Sequence, residues 1–465
     1  MNLSLTFLFT SIAVSCVFLF FALTGLDEEI VVILVPVIFF IYLFLIFFYI
    51  LRNKLGENIF VEIGFLNVAF LLLYTIFPAF IIIGGMLLDD NPLTSLLPDN
   101  FEAGKHFWRH FILAFGIVVG FLFFRGNTGI KIYKPLKNVN NHNLILLFCI
   151  FIIIFSNFMF LTFSAPVETY YENYTRFDHL TAPLRVLISI FIRFNWGLYS
   201  LIFLFLFLNY EKYKKIIPYV VIVLIVLDIF VSKGSRIQSL LTIVGIFCLY
   251  NIFVNKINFS KIILSGISIV FIFTLIAALR IDQGGIEALD FASFILNLSG
   301  ELGSVYYTGF HLYEQRSLDI LPYAPWQMFF YDFWAVTPFL DFTSWAPMNW
   351  YHLNYFPDAL VPPMTLGPIA NSALWGGEYD LFLRGILCGI FYALLTRMFL
   401  SNRDNWIITA IYVFCFSTTI YIMKYSIFYH MQLIIKTLLP VIFLCWIITK
   451  INFSPSSNTK KVFKN

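Results

Sequence analysis

VIVLIVLDIFVSKGSRIQSLLTIVGIFCLY, residues 221–250, sets two apolar runs on either side of a short polar reversal carrying Lys233, Gly234, Ser235 and Arg236. Each run belongs to a stretch, near 216–232 and 237–254, long enough to cross a hydrocarbon core of about 30 Å as a helix. A reversal this tight makes the two stretches a hairpin and keeps both cations near membrane depth. The pattern recurs from end to end of the chain. We read about twelve spans, near 3–24, 30–51, 60–86, 107–124, 143–163, 184–208, 216–232, 237–254, 261–279, 380–400, 406–423 and 431–449. Of the 465 residues 60% are hydrophobic and only 12% charged, about half the charge of a soluble domain. Composition therefore excludes a soluble enzyme and predicts an all-α, polytopic helical membrane protein.

The first run lacks a basic start and a small-residue cleavage site, so it is expected to stay as a span rather than leave as a signal peptide. The six cysteines, Cys16, Cys149, Cys248, Cys388, Cys415 and Cys445, all lie in apolar runs without CxxC spacing, which reads as buried small hydrophobes. No nucleotide-binding glycine loop is present, and nothing points to nucleic acid as a partner. The net charge of +3 says little, but its distribution says more.

Every second connector is basic: Arg52 and Lys54, then Arg125 to Lys137, Lys212 to Lys215, Lys256 and Lys261, Arg397 and Arg403, and the tail from Lys450. The positive-inside rule puts these and both termini in the cytoplasm and sends the acidic connectors outward. The expected organisation is nine spans over 1–279, one large outward loop over 280–379 crowded with aromatics, three spans over 380–450, and a cytoplasmic tail over 451–465. A connector of that length is usually functional.

Four cations break the charge rule by falling at outward span ends: Lys233, Arg236, Arg280 and Lys424. Taken singly, each reads as a side chain snorkelling to lipid phosphate. Taken together they fit a shared anionic ligand such as a lipid-linked diphosphate, whose oxygens match guanidinium forks, with the backbone of Gly234 and Ser235 adding N–H donors. Arg193 and Asp228 lie deeper and read as a structural ion pair.

The tight Gly234-Ser235-Arg236 turn, the span-ending Leu279-Arg280, the long aromatic loop, the re-entry GGEYDLFLRG at 376–385 and a late basic residue follow one another in an order that resembles the Wzy-type oligosaccharide repeat-unit polymerases of O-antigen and enterobacterial common antigen. The sequence departs from that pattern in having Lys424 where an arginine is expected, and in the extra pair Asp380 and Arg384. The resemblance implies a metal-independent, cofactor-free glycosyltransferase of GT-C-like fold in the bacterial inner membrane. It also implies transfer, at the periplasmic face, of a growing glycan from undecaprenyl diphosphate to the non-reducing end of a new lipid-linked repeat unit. A chain-length-regulating co-polymerase and the membrane lipids are the implied partners.

That chemistry needs cations at the departing diphosphate and a base for the acceptor hydroxyl. Arg236 and Arg280 suit the first task, with Lys233, Ser235 and Lys424 as further substrate contacts. Glu378 is the first choice of base, and His352 in NWYHLNY and Glu301 in SGELGSVYY are alternatives, Glu301 also reading as a substrate contact. Tyr306, Trp350 and Trp375 stand for the loop aromatics that could stack on sugars. His106 and His110 in HFWRH share a helix face at metal-compatible spacing, but no third ligand is evident and packing is expected. Competing classes are an O-antigen ligase, another GT-C enzyme using the acidic Asp27-Glu28-Glu29 connector, and a lipid-linked oligosaccharide flippase. The absence of paired repeats counts against the last.

Overall fold

A computed structural model of the chain describes residues 28–55, 59–87, 100–127, 141–165, 177–231, 236–255, 257, 306–331, 345–357, 366–424 and 429–450. Among these residues the protein is helical and has no strand. The helices are α1 (Glu28–Leu55), α2 (Ile63–Leu87), α3 (Asn100–Phe124), α4 (His142–Phe163), α5 (Ala182–Leu208), α6 (Ile217–Val231), α7 (Arg236–Phe253), α8 (residues 306–317), α9 (Pro347–Tyr355), α10 (Pro368–Leu374), α11 (Glu378–Ser401), α12 (Trp406–Ser417) and α13 (Tyr429–Lys450). A helix closes all its backbone hydrogen bonds within one segment, which is why long apolar runs take this form in lipid.

Among the described residues seven helices, α1, α2, α3, α4, α5, α11 and α13, are long and apolar enough to cross a membrane. Shorter apolar helices occupy Ile217–Leu227, Leu241–Phe253 and Trp406–Ser417, where the seventh, eighth and eleventh spans are expected. The spans expected at 3–24 and 261–279 lie outside the described residues.

The chain forms two compact units interleaved in sequence, so the linear division into 1–279, 280–379 and 380–450 follows chain order rather than packing. One unit takes residues 1–131, 263–401 and 418–431; the other takes 132–262, 402–417 and 432–465. In the second unit α5 packs against α4 and α7, and α7 against α12. Cys149 on α4 and Cys445 on α13 lie 3.9 Å apart there as buried thiols.

The first unit is organised by α3 and α11, which run parallel in close contact. Gly116 and Gly120 on α3 face Gly385 and Gly389 on α11. A Cβ at Gly116 would stand 2.6 Å from the Phe382 carbonyl oxygen, and one at Gly385 2.6 Å from that of Leu113. At Gly120 and Gly389 it would strike the carbonyl oxygens of Ile386 and Ile117. Lipid tails supply no hydrophobic drive between helices, so such small residues let backbones approach and gain dispersion contacts. Around this seam Ile33, Val37, Ala79, Ile82, Ala103 and Phe107 form a core that also receives Tyr306 from α8. A segment of the expected outward loop is thus built into the helical core.

Parallel packing sorts the charges. At the Phe124 end, Arg125 donates through Nε to Glu62 Oε2 at 2.7 Å and through Nη2 to the second oxygen, with both side chains essentially unexposed. Arg397 reaches the Phe124 carbonyl at 3.4 Å at the same end. Arg109 and Glu378 meet at the other.

The segment after α12 departs from expectation. A 3-10 turn, Thr418–Ile420, and a single helical turn, Tyr421–Lys424, follow Ser417. Thr419 Oγ1 bonds the Tyr392 hydroxyl at 3.2 Å, and the His430 ring lies edge-on to the Tyr392 ring at 5.9 Å. The turn Tyr421–Lys424 packs against α10.

Two stability predictions arise here. Gly389→Val is expected to cost at least about 1–3 kcal/mol through overpacking, whereas Gly245→Ala, whose Cβ would rest 3.5 Å from Ser417 Cβ in ordinary contact, leaves the thermal midpoint in detergent unchanged or raised. Arg125→Met alone strands a buried carboxylate and is expected to cost about 3–5 kcal/mol, while Glu62→Leu with Arg125→Met recovers most of it; equal losses in the single and double variants would reject the pair as a buried clamp.

Candidate functional site

The N-terminal turns of α3, α8, α10 and the start of α11 converge in the first unit. The link from α10 to α11 is Trp375-Gly376-Gly377. Ser372 O accepts from the N–H groups of Trp375 and Gly377 at 3.1 and 2.9 Å. Gly377 has φ +64°, a left-handed conformation that costs side-chain-bearing residues energy. Arg316 on α8 satisfies carbonyls at this helix end, donating through Nη1 to Ala373 O at 2.6 Å and Trp375 O at 2.8 Å. A cation at a helix C-terminus is also favoured by the helix dipole. Glu378 then opens α11, where its carboxylate suits the positive end of the same dipole.

Arg109 donates through Nε to Glu378 Oε1 at 2.9 Å, with side-chain exposures of 10% and 50%. The guanidinium lies 3.7 Å over the Tyr313 ring of α8, a cation–π contact that fixes its plane. The Tyr313 hydroxyl is 2.9 Å from Ser372 Oγ. Ser372 spends its own proton on Ile369 O at 2.7 Å, so Tyr313 is the donor. Burial pushes the Tyr313 phenol up to about 12, keeping it neutral. The result is a half-exposed carboxylate held by a nearly buried guanidinium, itself stacked on a hydrogen-bonded phenol.

A second pair lies on another face of α11. Arg384 Nε donates to Asp380 Oδ2 at 2.6 Å, and the guanidinium stands 4.9 Å from the Phe329 ring centroid. Phe329 in turn meets Trp375 edge to face at 5.6 Å.

His106 and His110 serve a polar chain inside the core. Thr75 Oγ1 donates to Leu71 O at 2.8 Å and so accepts from His110 Nδ1 at 2.9 Å. His110 Nε2 then accepts from His106 Nε2, 3.3 Å away; these proton positions are assigned from the partners. Among the described residues no third His, Cys, Asp or Glu joins them as a metal site. Gly309 lets α8 approach, since a Cβ there would lie 2.7 Å from His106 Cε1.

Of the sequence-derived candidates, Glu378 stands in this arrangement. Trp375 borders it, half-buried. Tyr306 is 4% exposed, its ring against His106 at 4.5 Å and Phe107 at 5.4 Å, so it packs as core rather than offering a sugar platform. Trp350 is buried on α9 and donates to Tyr323 O at 3.1 Å. His352, on the same helix, is half-buried, with Nδ1 lacking a hydrogen-bond partner. Arg236 begins α7, and its side chain is not among those described. Lys233, Ser235, Arg280 and Glu301 lie outside the described residues, as does the Asp228 side chain; Arg193 is exposed.

Sequence reasoning missed Arg109 and Arg316, and counted Tyr313 only among the loop aromatics that could stack on sugars. Arg109 carried the same signal as Arg280, a cation near the expected outward end of a span, but HFWRH drew attention to its histidines. Arg316, and the role of Tyr313 under Arg109, gave no signal without knowledge that 306–317 docks on α3. No protein-family model, no curated protein and no solved structure matches this chain.

α8 is tied to α9 by His311 Nδ1 and the Tyr351 hydroxyl, 2.8 Å apart, with the imidazole 4.7 Å from the Tyr355 ring. Burial lowers the His311 pKa, against a weaker opposing influence of Glu314. The unfolded chain therefore takes up this proton first, so the contribution is intact above about pH 6.5 and lost as pH falls through it. The thermal midpoint is expected to drop between pH 7.5 and 5.5, and to drop less in His311→Gln; identical pH slopes would refute the assignment.

Proposed function

We propose that the protein is a membrane glycosyltransferase that polymerises lipid-linked oligosaccharide repeat units, with about twelve spans, cytoplasmic termini, a GT-C-like fold and its site at the periplasmic face of a bacterial inner membrane. The observation that carries the reading is the Arg109–Glu378 pair stacked on Tyr313 at the helix end opposite Arg125 and Arg397. The positive-inside rule assigns the Arg125 end to the cytoplasm, and so the pair to the outside. The ordered motifs that resemble Wzy-type polymerases add support.

In this reading the bond between the anomeric carbon and the carrier diphosphate breaks, and its electron pair leaves with the diphosphate. The resemblance to Wzy-type polymerases assigns the stabilisation of that charge to Arg236 and Arg280, and further substrate contacts to Lys233 and Ser235. The acceptor hydroxyl oxygen forms the new bond to the anomeric carbon, and its proton passes to Glu378. Arg109 orients the carboxylate, and the neutral Tyr313 ring keeps Arg109 in place. A carboxylate in an ion pair is a modest base, which suffices for an oxocarbenium-like carbon because the hydroxyl becomes strongly acidic as the bond forms.

The test is surface-glycan length on a gel in cells lacking the gene. Wild type is expected to restore a ladder, while Glu378→Gln and Arg109→Gln, present at normal membrane levels, leave single capped units, as a loss of about a hundredfold in rate implies. Long glycan that stays on its lipid carrier without reaching lipid A-core would instead identify a ligase. Repeat units retained on the cytoplasmic side would identify a transporter.

A further inference from the structure

Asp380 and Arg384 are the charged residues of GGEYDLFLRG that the proposed reaction leaves without a task. Arg384 carries the observation. It is 4% exposed, and only its Nε is spent on Asp380. Its Nη2 is buried with no hydrogen-bond partner. A guanidinium N–H out of water and unpaired is costly, which makes such an atom a pointer to a ligand. At about 100° per residue, Asp380 and Arg384 stand roughly 200–240° around α11 from Glu378, on the side away from the glycine seam with α3. They are therefore not a second copy of the Arg109 contact.

The cover over Arg384 is aromatic. Phe329 lies over its guanidinium and packs against Trp375 and Phe330. Phe329 follows a single 3-10 turn, Trp326–Met328, preceded by the irregular residues 320–325. Phe330 packs on Phe329 and Trp326 packs on Phe330, the two being 42% and 56% exposed. Rings cluster here around a charge pair that is neutral overall and presents a donor, Nη2–H, next to a carboxylate acceptor. That combination matches neighbouring sugar hydroxyls, each both donor and acceptor, with ring faces for the apolar side of the pyranose. It suits a phosphate poorly, because Asp380 already balances Arg384, and a lipid tail offers Nη2 no acceptor.

We propose that Asp380, Arg384, Phe329 and Trp375 form a glycan-binding subsite, in which a sugar hydroxyl oxygen accepts from Arg384 Nη2 while the Phe329 and Trp375 rings flank the sugar. The choice of a glycan as ligand rests on the polymerase reading; the existence of a ligand site rests on the buried unpaired nitrogen and its aromatic cover. The subsite would grip sugar units beyond the reacting one, so its loss should weaken acceptor affinity more than the rate at saturation.

The test is equilibrium binding to the full-length protein in lipid nanodiscs, with the repeat-unit oligosaccharide released by mild acid from cells lacking the gene as the probe and inorganic pyrophosphate as the comparison. Arg384→Gln and Phe329→Ala are expected to weaken oligosaccharide binding at least tenfold and to leave the pyrophosphate response unchanged. Phe329→Ala removes only the cover ring and keeps the test alive if Arg384→Gln does not fold. Oligosaccharide affinity equal in wild type and variants, no oligosaccharide binding by wild type, or a loss confined to pyrophosphate would each overturn the proposal. If glycan ladders fail to depend on the gene while oligosaccharide binding still depends on Arg384, the subsite stands and the polymerase reading falls. If ladders depend on the gene and binding ignores both substitutions, the subsite alone falls.

Discussion

The close approach of two parallel helix backbones is the constraint on which the first unit depends. Gly116 and Gly120 against Gly385 and Gly389 leave no room for a Cβ between α3 and α11, so these helices have essentially one register. Register in turn decides the charges. With it fixed, Arg109 on α3 meets the carboxylate that opens α11, and Arg125 and Arg397 gather at the far end. A slide by one helical turn, about 5.4 Å, would separate Arg109 from Glu378 entirely. Membrane helices gain little from hydrophobic exclusion of one another, and here a steric fit supplies the specificity that a polar core would otherwise have to provide.

Electrostatics and packing divide the work between the two ends. Glu62 and Arg125 form a two-bond pair in nearly complete burial, with Arg125 Nη1 left unpaired, an arrangement whose desolvation cost limits its net contribution but heavily penalises loss of either partner. Arg109 and Glu378 form a lopsided pair, the guanidinium enclosed and the carboxylate half in the open. Enclosure fixes geometry, and exposure leaves the carboxylate reachable. The same division appears in Arg316, which spends itself on carbonyls to hold the Gly376-Gly377 turn that aims Glu378.

Most of the helical layout could be read from composition, because a run such as α4, HNLILLFCIFIIIFSNFMFLTF, has no alternative in water or lipid. Glu378 was legible as well, as a carboxylate at the start of a span after two glycines. The partners of Glu378 were not. A cation such as Arg109 looks alike in sequence whether it reaches lipid phosphate or a carboxylate 269 positions away. The aromatics of 306–317 read as groove-lining rings because connectors are expected to stand in water, whereas Tyr306 enters the core.

Docking of α8 on α3 also limits how the protein can be rearranged. Tyr306, Tyr313 and Arg316 are as much a part of the membrane body as the spans are, since they fill its core, carry Arg109 and brace the entry to α11. The segment between the ninth and tenth expected spans therefore cannot be expressed as a free-standing soluble module. Nor can it be exchanged for the corresponding segment of another protein unless the HFWRH turns of α3 travel with it. Evolutionary change is constrained in the same way: the residues of α8 that face α3 can change only in step with their partners.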